Sequence, residues 1–126
     1  MEEIEKFIGD FSAEALEMST KIAGVALVAD SGVVVYQTEN FDLKNQGGVI
    51  CQVHEGLESF EINNFQYSVS HSSSGGIVAK STAGMGIIAF AKIQGGFLVV
   101  YAMPGADAKR VLTFLKTYVP KCEGLL

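Results

Sequence analysis

Few residues in this chain have types and spacing that could do chemistry. The histidines are His54 and His71, and the cysteines are Cys51 and Cys122. Cys51-x-x-His54 has half the spacing of a zinc site. Its other two ligands would have to be His71 and Cys122, far apart in sequence, whereas zinc sites draw on paired clusters. The expected reading is a buried free thiol and a surface imidazole. Gly76-Ile-Val-Ala-Lys80-Ser81-Thr82 has the outline of a phosphate loop, but Ala79 stands where the glycine before the lysine must be, and a strand follows instead of a helix. Gly84-x-Gly86 lacks its third glycine, because position 89 is Ala. Nucleophilic catalysis would need a Ser or Cys beside a His that an acid orients. His71 lies beside serines, in a stretch that reads as a flexible connector, and no acid occurs between Glu61 and Asp107. Paired carboxylates are missing there too. The parts of an enzyme site are not assembled, so a binding protein without cofactor or metal is expected.

Composition sharpens this. The 126 residues make one domain, 1–126, long enough to bury roughly two-thirds of its unfolded surface without a metal or disulfide. Hydrophobic residues are 48% and charged ones 18%, which fits a globular chain. The net charge of −5 hides a split: residues 1–61 carry twelve acids and three lysines, for −9, and residues 62–126 carry two acids and six Lys or Arg, for +4. A net acidic chain is a poor nonspecific nucleic-acid binder. The opening MEEIEKF is no signal peptide, and no stretch is apolar enough for a membrane span. A cytoplasmic protein with free thiols is expected.

The elements follow from periodicity. Ile4, Phe7, Ile8, Phe11, Ala15, Met18 and Ile22 recur at helical spacing and predict a helix of about five turns. Gly9 would permit a break, with Asp10 or Ser12 capping a restart. Runs 24–29 and 33–38 flank Asp30-Ser31-Gly32 and read as a hairpin, the first run apolar on both faces. Residues 41–56 allow a short helix. Strands are then expected at Ser59–Ile62, Phe65–Ser70, Gly76–Ser81, Gly86–Lys92 and Phe97–Ala102, separated by turn residues. A last helix runs from about Ala106 to Val119, with Pro120 stopping it and Lys121–Leu126 loose. The fold class is α+β: one antiparallel sheet with the N- and C-terminal helices packed together on one face.

That leaves a binding surface. Lys80, Lys92, Lys109, Arg110 and Lys116 stand in a half almost without acids, and Phe65, Met85 and Phe114 offer apolar anchors. Cations without compensating acids, set among apolar side chains, suit a docking face.

The order and spacing of these segments resemble profilin. Phe41-Asp-Leu-Lys-Asn-Gln-Gly-Gly-Val-Ile50 resembles the profilin stretch after its second strand. Ser59-Phe-Glu-Ile-Asn-Asn-Phe65 is similar to the family's Phe-x-hydrophobic-Asn-Gly-Leu turn, with Asn64 where Gly is usual. Ala79-Lys80-Ser81-Thr82-Ala83-Gly84 is similar to its basic Gly-rich segment, and Gly86 to Pro104 resembles its last two strands. The resemblance covers about residues 20–120, and its divergence suggests an early-branching, archaeal type. It implies a monomer in the cytoplasm and cytoskeleton that binds monomeric actin one to one. The implied actin face comprises Phe65, Val78, Lys80, Met85, Lys92, Gly105, Asp107, Lys109, Arg110 and Phe114.

The family's second site, for proline-rich segments, falls by position on Phe7, Phe11, Tyr36 and Tyr118. The chain has no Trp, and Phe lacks the ring N–H or O–H that bonds proline carbonyls, so weak or absent binding is expected. Phosphoinositide binding needs a denser basic cluster than six residues spread over 65 positions. Two other folds compete. A roadblock/dynein-light-chain-like dimeric scaffold needs a long middle helix, which three glycines in 41–56 disfavour. A small-ligand sensor domain would need an apolar pocket with converging polar groups.

Overall fold

The computed structural model describes residues 2–38, 41, 43, 46–73 and 76–126. The expected segment from Phe41 to Ile50 falls partly outside them, at Asp42, Lys44 and Asn45, and so do Ser74 and Gly75 of the serine-rich stretch.

The first helix, α1, spans Glu2–Glu17 and runs unbroken through Gly9. Ile4, Phe7, Ile8, Phe11 and Ala15 form its buried stripe. The helix is shorter than the periodicity predicts. The Thr20 hydroxyl donates to the Ala15 carbonyl at 3.0 Å and accepts from the Ile22 amide at 3.3 Å, ending the helix. Ser19 and Lys21 take left-handed backbone, with φ of 55° and 64°. Ile22 therefore opens the first strand, and Met18 is 54% exposed instead of buried.

Strands β1 (Ile22–Ala29) and β2 (Val34–Gln37) form the hairpin, with Gly32 at φ 90° in its turn. Helix α2 spans Gly47–His54; its eight residues fall short of the long middle helix of the scaffold alternative. Then come β3 (Ser59–Ile62), β4 (Phe65–Ser73), β5 (Gly76–Ser81), β6 (Ile87–Ile93) and β7 (Gly96–Ala102). The last helix, α3, spans Ala108–Tyr118. All strand pairs are antiparallel, in the order β2-β1-β7-β6-β5-β4-β3. His71, Ser72 and Ser73 lie in β4, so these residues of the expected connector are sheet.

Side chains alternate across the central strands, and each face of the sheet has its own core. On one face α1 and α3 cover Val25, Leu27, Val78, Ala89, Ala91, Leu98 and Val100. The terminal helices thus share a face, as expected. On the other, α2, Phe41 and Leu43 cover Ala26, Val28, Phe60, Tyr67, Ile88, Phe90 and Val99.

The tail is not loose. Val119–Cys122 form a 3-10 turn that contains Pro120, and Cys122 is fully buried in the helix-side core. The Gly124 amide donates to Gln94 Oε1 at 3.0 Å, and Leu126 rests on Gly95 and Gly96. Apolar contact at Cys122 and Leu125 outweighs the tail's freedom.

The first residue of β5 tests the helix-to-sheet packing. A Cβ at Gly76 would sit 2.6 Å from Leu112 Cδ1 and 2.9 Å from the Phe90 carbonyl oxygen. Gly76→Ala should cost about 1–3 kcal/mol. It should appear as a lower urea midpoint at unchanged slope.

Candidate functional site

Helix α3 organises the basic half. Gly105, at φ 90°, turns the chain after β7, and the Ala106 amide donates to the Met103 carbonyl at 3.1 Å. Asp107 is the N-cap: its carboxylate accepts from the amides of Lys109 and Arg110, at 3.0 and 3.3 Å. The acid that separates Lys109 and Arg110 from an acid-free stretch is thereby occupied in capping the start of the helix. The helix buries Val111, Leu112, Phe114, Leu115 and Tyr118, which leaves Lys109, Arg110 and Lys116 exposed.

Lys80 and Val78 sit on the β5 face that α3 covers. Lys80, Lys109 and Lys116 converge with Ser70 and His71 around a groove of about 410 Å³, which Val78 and Leu112 floor. Val78 is only 1% exposed, so it supports the groove and offers a partner no surface. Among the described residues, none of the three lysines pairs with a carboxylate. His71 reaches this face through a β-bulge. Val69 pairs with Ala79, but His71 pairs with Val78, leaving Ser70 as the extra residue. Its hydroxyl donates to the Val78 carbonyl at 3.3 Å. Without the bulge, strict alternation would put His71 on the α2 face with Val69 and Tyr67. Sequence reading missed His71 here because a bulge leaves no periodic mark.

A second groove, about 460 Å³, runs between the end of α1 and the outer side of α3. It joins Asp107, Lys109, Arg110 and Phe114 to Glu14 and Met18. Phe114 is not the exposed anchor expected of it. It is 6% exposed, with its ring centroid 5.0 Å from Phe11 and 5.1 Å from Tyr118.

Two other expected positions lie apart. Phe65 and Met85 are partly exposed around a smaller hollow with Phe41, Tyr67 and Tyr101, where the Tyr101 hydroxyl donates to the Met85 carbonyl. Lys92 is on the other side of the sheet from Lys80. Lys80 pairs with Ile87, and five residues along β6 is an odd number, so Lys92 points to the α2 face. There its Nζ lies 3.0 Å from Asp30 Oδ1 and over the Phe97 ring. His54 packs edge-on against that same ring, and Cys51 Sγ lies 3.6 Å from the Asp30 carbonyl oxygen. Cys51 and His54 thus sit on the α2 side, whereas His71 and Cys122 belong to the helix side.

Of the positions considered for proline-rich segments, Phe7, Phe11 and Tyr118 are buried. Phe7 and Phe11 stack at 6.0 Å, and Tyr118 meets them edge-on at 5.8 and 4.9 Å. Tyr36, on edge strand β2, is half-buried against the same core. The Tyr118 hydroxyl donates to the Glu14 carboxylate, tying α3 to α1. Burial, then this bond and the nearby negative charge, push the Tyr118 hydroxyl up to about 12. Burial also pushes Tyr67 up to about 12 and the Cys122 thiol to about 11. These groups are held neutral in the fold. Their contribution is complete below the ordinary tyrosine and thiol values and is lost as pH rises through the folded ones. The Tm should fall between about pH 9 and 12, and Tyr118→Phe should make that fall shallower. Thermal scans at fixed ionic strength check both.

No protein-family model matches the chain, and comparison with curated proteins finds no match. Solved structures do match. LokiProfilin1 in complex with rabbit actin superposes with a TM-score of 0.87 at 23% identity, covering 100% of this chain and 98% of that one. LokiProfilin2, also with rabbit actin, gives 0.86 at 23%, covering 100% and 99%. Profilin IB of Acanthamoeba castellanii gives 0.70 at 12%, covering 85% and 89%. Seven antiparallel strands between a helix-pair layer and a short-helix layer, matched over the whole length of the Loki structures, are the profilin fold.

Proposed function

We propose that this chain is an archaeal-type profilin that binds monomeric actin one to one in the cytoplasm and regulates filament assembly by sequestering or delivering subunits. One observation carries the reading: the cation-lined groove beside α3, whose lysines pair with no acid among the described residues, on a fold whose solved examples include two bound to rabbit actin. Lys80, Lys109 and Arg110 are the central contacts in this reading. Gly105 and Asp107 set the start of the helix that presents two of them. Phe65 and Met85, in the separate hollow with Phe41 and Tyr67, lie apart from these contacts. The position of Lys92 on the α2 face argues against a place in the same contact. A basic face also speeds encounter with an acidic partner and fixes its orientation.

Binding of proline-rich segments is weak or absent in this reading. The aromatic faces of Phe7, Phe11 and Tyr118 are spent on one another inside the core, and the Tyr118 hydroxyl is engaged by Glu14. An exposed aromatic groove with free donors is what a polyproline helix needs. Three lysines around one groove fall short of the roughly four to eight clustered Lys or Arg that mark a phosphoinositide site.

A pyrene-actin assembly assay tests the proposal. Purified protein should slow spontaneous nucleation and form a one-to-one complex. Lys80→Glu and Arg110→Glu should each weaken binding by about 1–3 kcal/mol. Lys92→Glu should change it by less than about 0.5 kcal/mol. Unchanged affinity in the first two would move the contact elsewhere, and no effect on any actin would overturn the proposal. An oligoproline peptide should leave the protein's NMR spectrum unmoved.

A further inference from the structure

The groove between β4, β5 and α3 joins an imidazole to three ammonium groups over an apolar floor. We infer that it receives a partner segment bearing carboxylates on either side of an apolar side chain, and that His71 makes this docking tighten as pH falls. The inference rests on the proposed role of this face as the docking surface, and names what the face recognises.

The parts are independently placed. The bulge at Ser70 puts His71 on the helix face, beside Lys80 across the β4–β5 pair. Lys109 and Lys116, two turns apart on α3, close the other side. Ala108 and Leu112 supply the apolar lining of the groove, with Val78 buried beneath them. The charged groups that face His71 are Lys80 from β5 and Lys109 and Lys116 from α3. Glu58, before β3, meets the β4 backbone through its carbonyl, which accepts from the Val69 amide. No carboxylate of the described residues lies within ion-pair distance of His71 or of the three lysines. Asp107, at the start of α3, is engaged with its own helix. Among the described residues, then, no carboxylate completes the cluster.

A partner's carboxylate favours the imidazolium beside it, so docking takes up a proton at His71. By linkage, affinity then rises as pH falls. The three lysines supply the part of the attraction that does not depend on the imidazole.

Binding of monomeric actin to the wild type and to His71→Gln, at about pH 6 and about pH 7.5, tests this. The wild type should bind roughly two- to three-fold more tightly at the lower pH, part of the roughly five-fold that one fully formed charge pair near 4 Å in water is worth. His71→Gln should lose that ratio, while any titration of actin itself affects both proteins alike. Equal ratios in the two proteins would overturn the inference and leave the actin reading standing. If actin binds neither protein, the actin reading fails, and an alternating Glu-Leu peptide tests the groove directly. Amide NMR shifts at Ser70, His71, Lys80 and Lys109 that grow as pH falls would support the inference. Shifts absent there, or the same at both pH values, would overturn it. The spectrum of His71→Gln alone checks that the variant is folded.

Discussion

The pairing of β1 with β7 is the contact on which the rest of the molecule depends. It joins residues 22–29 to residues 96–102, the start of the sheet to its end. Through it the hairpin becomes part of a seven-stranded sheet, and α1 comes to lie beside α3. Val25, Leu27, Leu98 and Val100 serve one core, and Ala26, Val28, Phe97 and Val99 the other. A strand pair buried on both faces has no polar side to spare, which is why both runs read as continuous apolar sequence.

This arrangement divides labour between the helices. Phe7, Phe11, Phe114 and Tyr118 fill the space between α1 and α3, so the inner sides of both are committed to stability. The outer side of α3 and the strands next to it remain open for recognition. Charge follows the same division. The acids of α1 lie outside its apolar stripe, and Lys80 of β5 and Lys109 and Lys116 of α3 lie along one groove. The −5 of the whole chain therefore describes neither surface.

Strand positions were legible because turn residues mark them. Ser59–Ile62 and Gly76–Ser81 have the expected bounds, and β6 and β7 begin within one residue of theirs. Both terminal helices and their common face followed from apolar stripes. What periodicity could not carry was anything decided by one local bond or one tertiary contact. Ile22 continues the helical spacing but is claimed by the sheet, because Thr20 ends the helix. Phe114 is one residue from the edge of its stripe, and a ring that size turns inward to meet Phe11. Lys92 illustrates a different failure. Its face is fixed by strand register, which the sequence of β6 alone does not state. Arg110 and Lys109 were legible as a helix start, but the capping role of Asp107 emerged only from its bonds.

Ser70 has a consequence beyond its own position. In a strand, which side a residue faces is a matter of parity, and one unpaired residue inverts the parity of everything after it on that strand. The last residues of β4 therefore owe their side of the sheet to an insertion and not to their own chemistry. Sliding that irregularity along the strand would exchange the residues lining the groove for those facing α2, with no side chain replaced. A recognition surface built this way can be re-lettered by chain length alone, a route to new specificity that substitution-by-substitution comparison of sequences would not register.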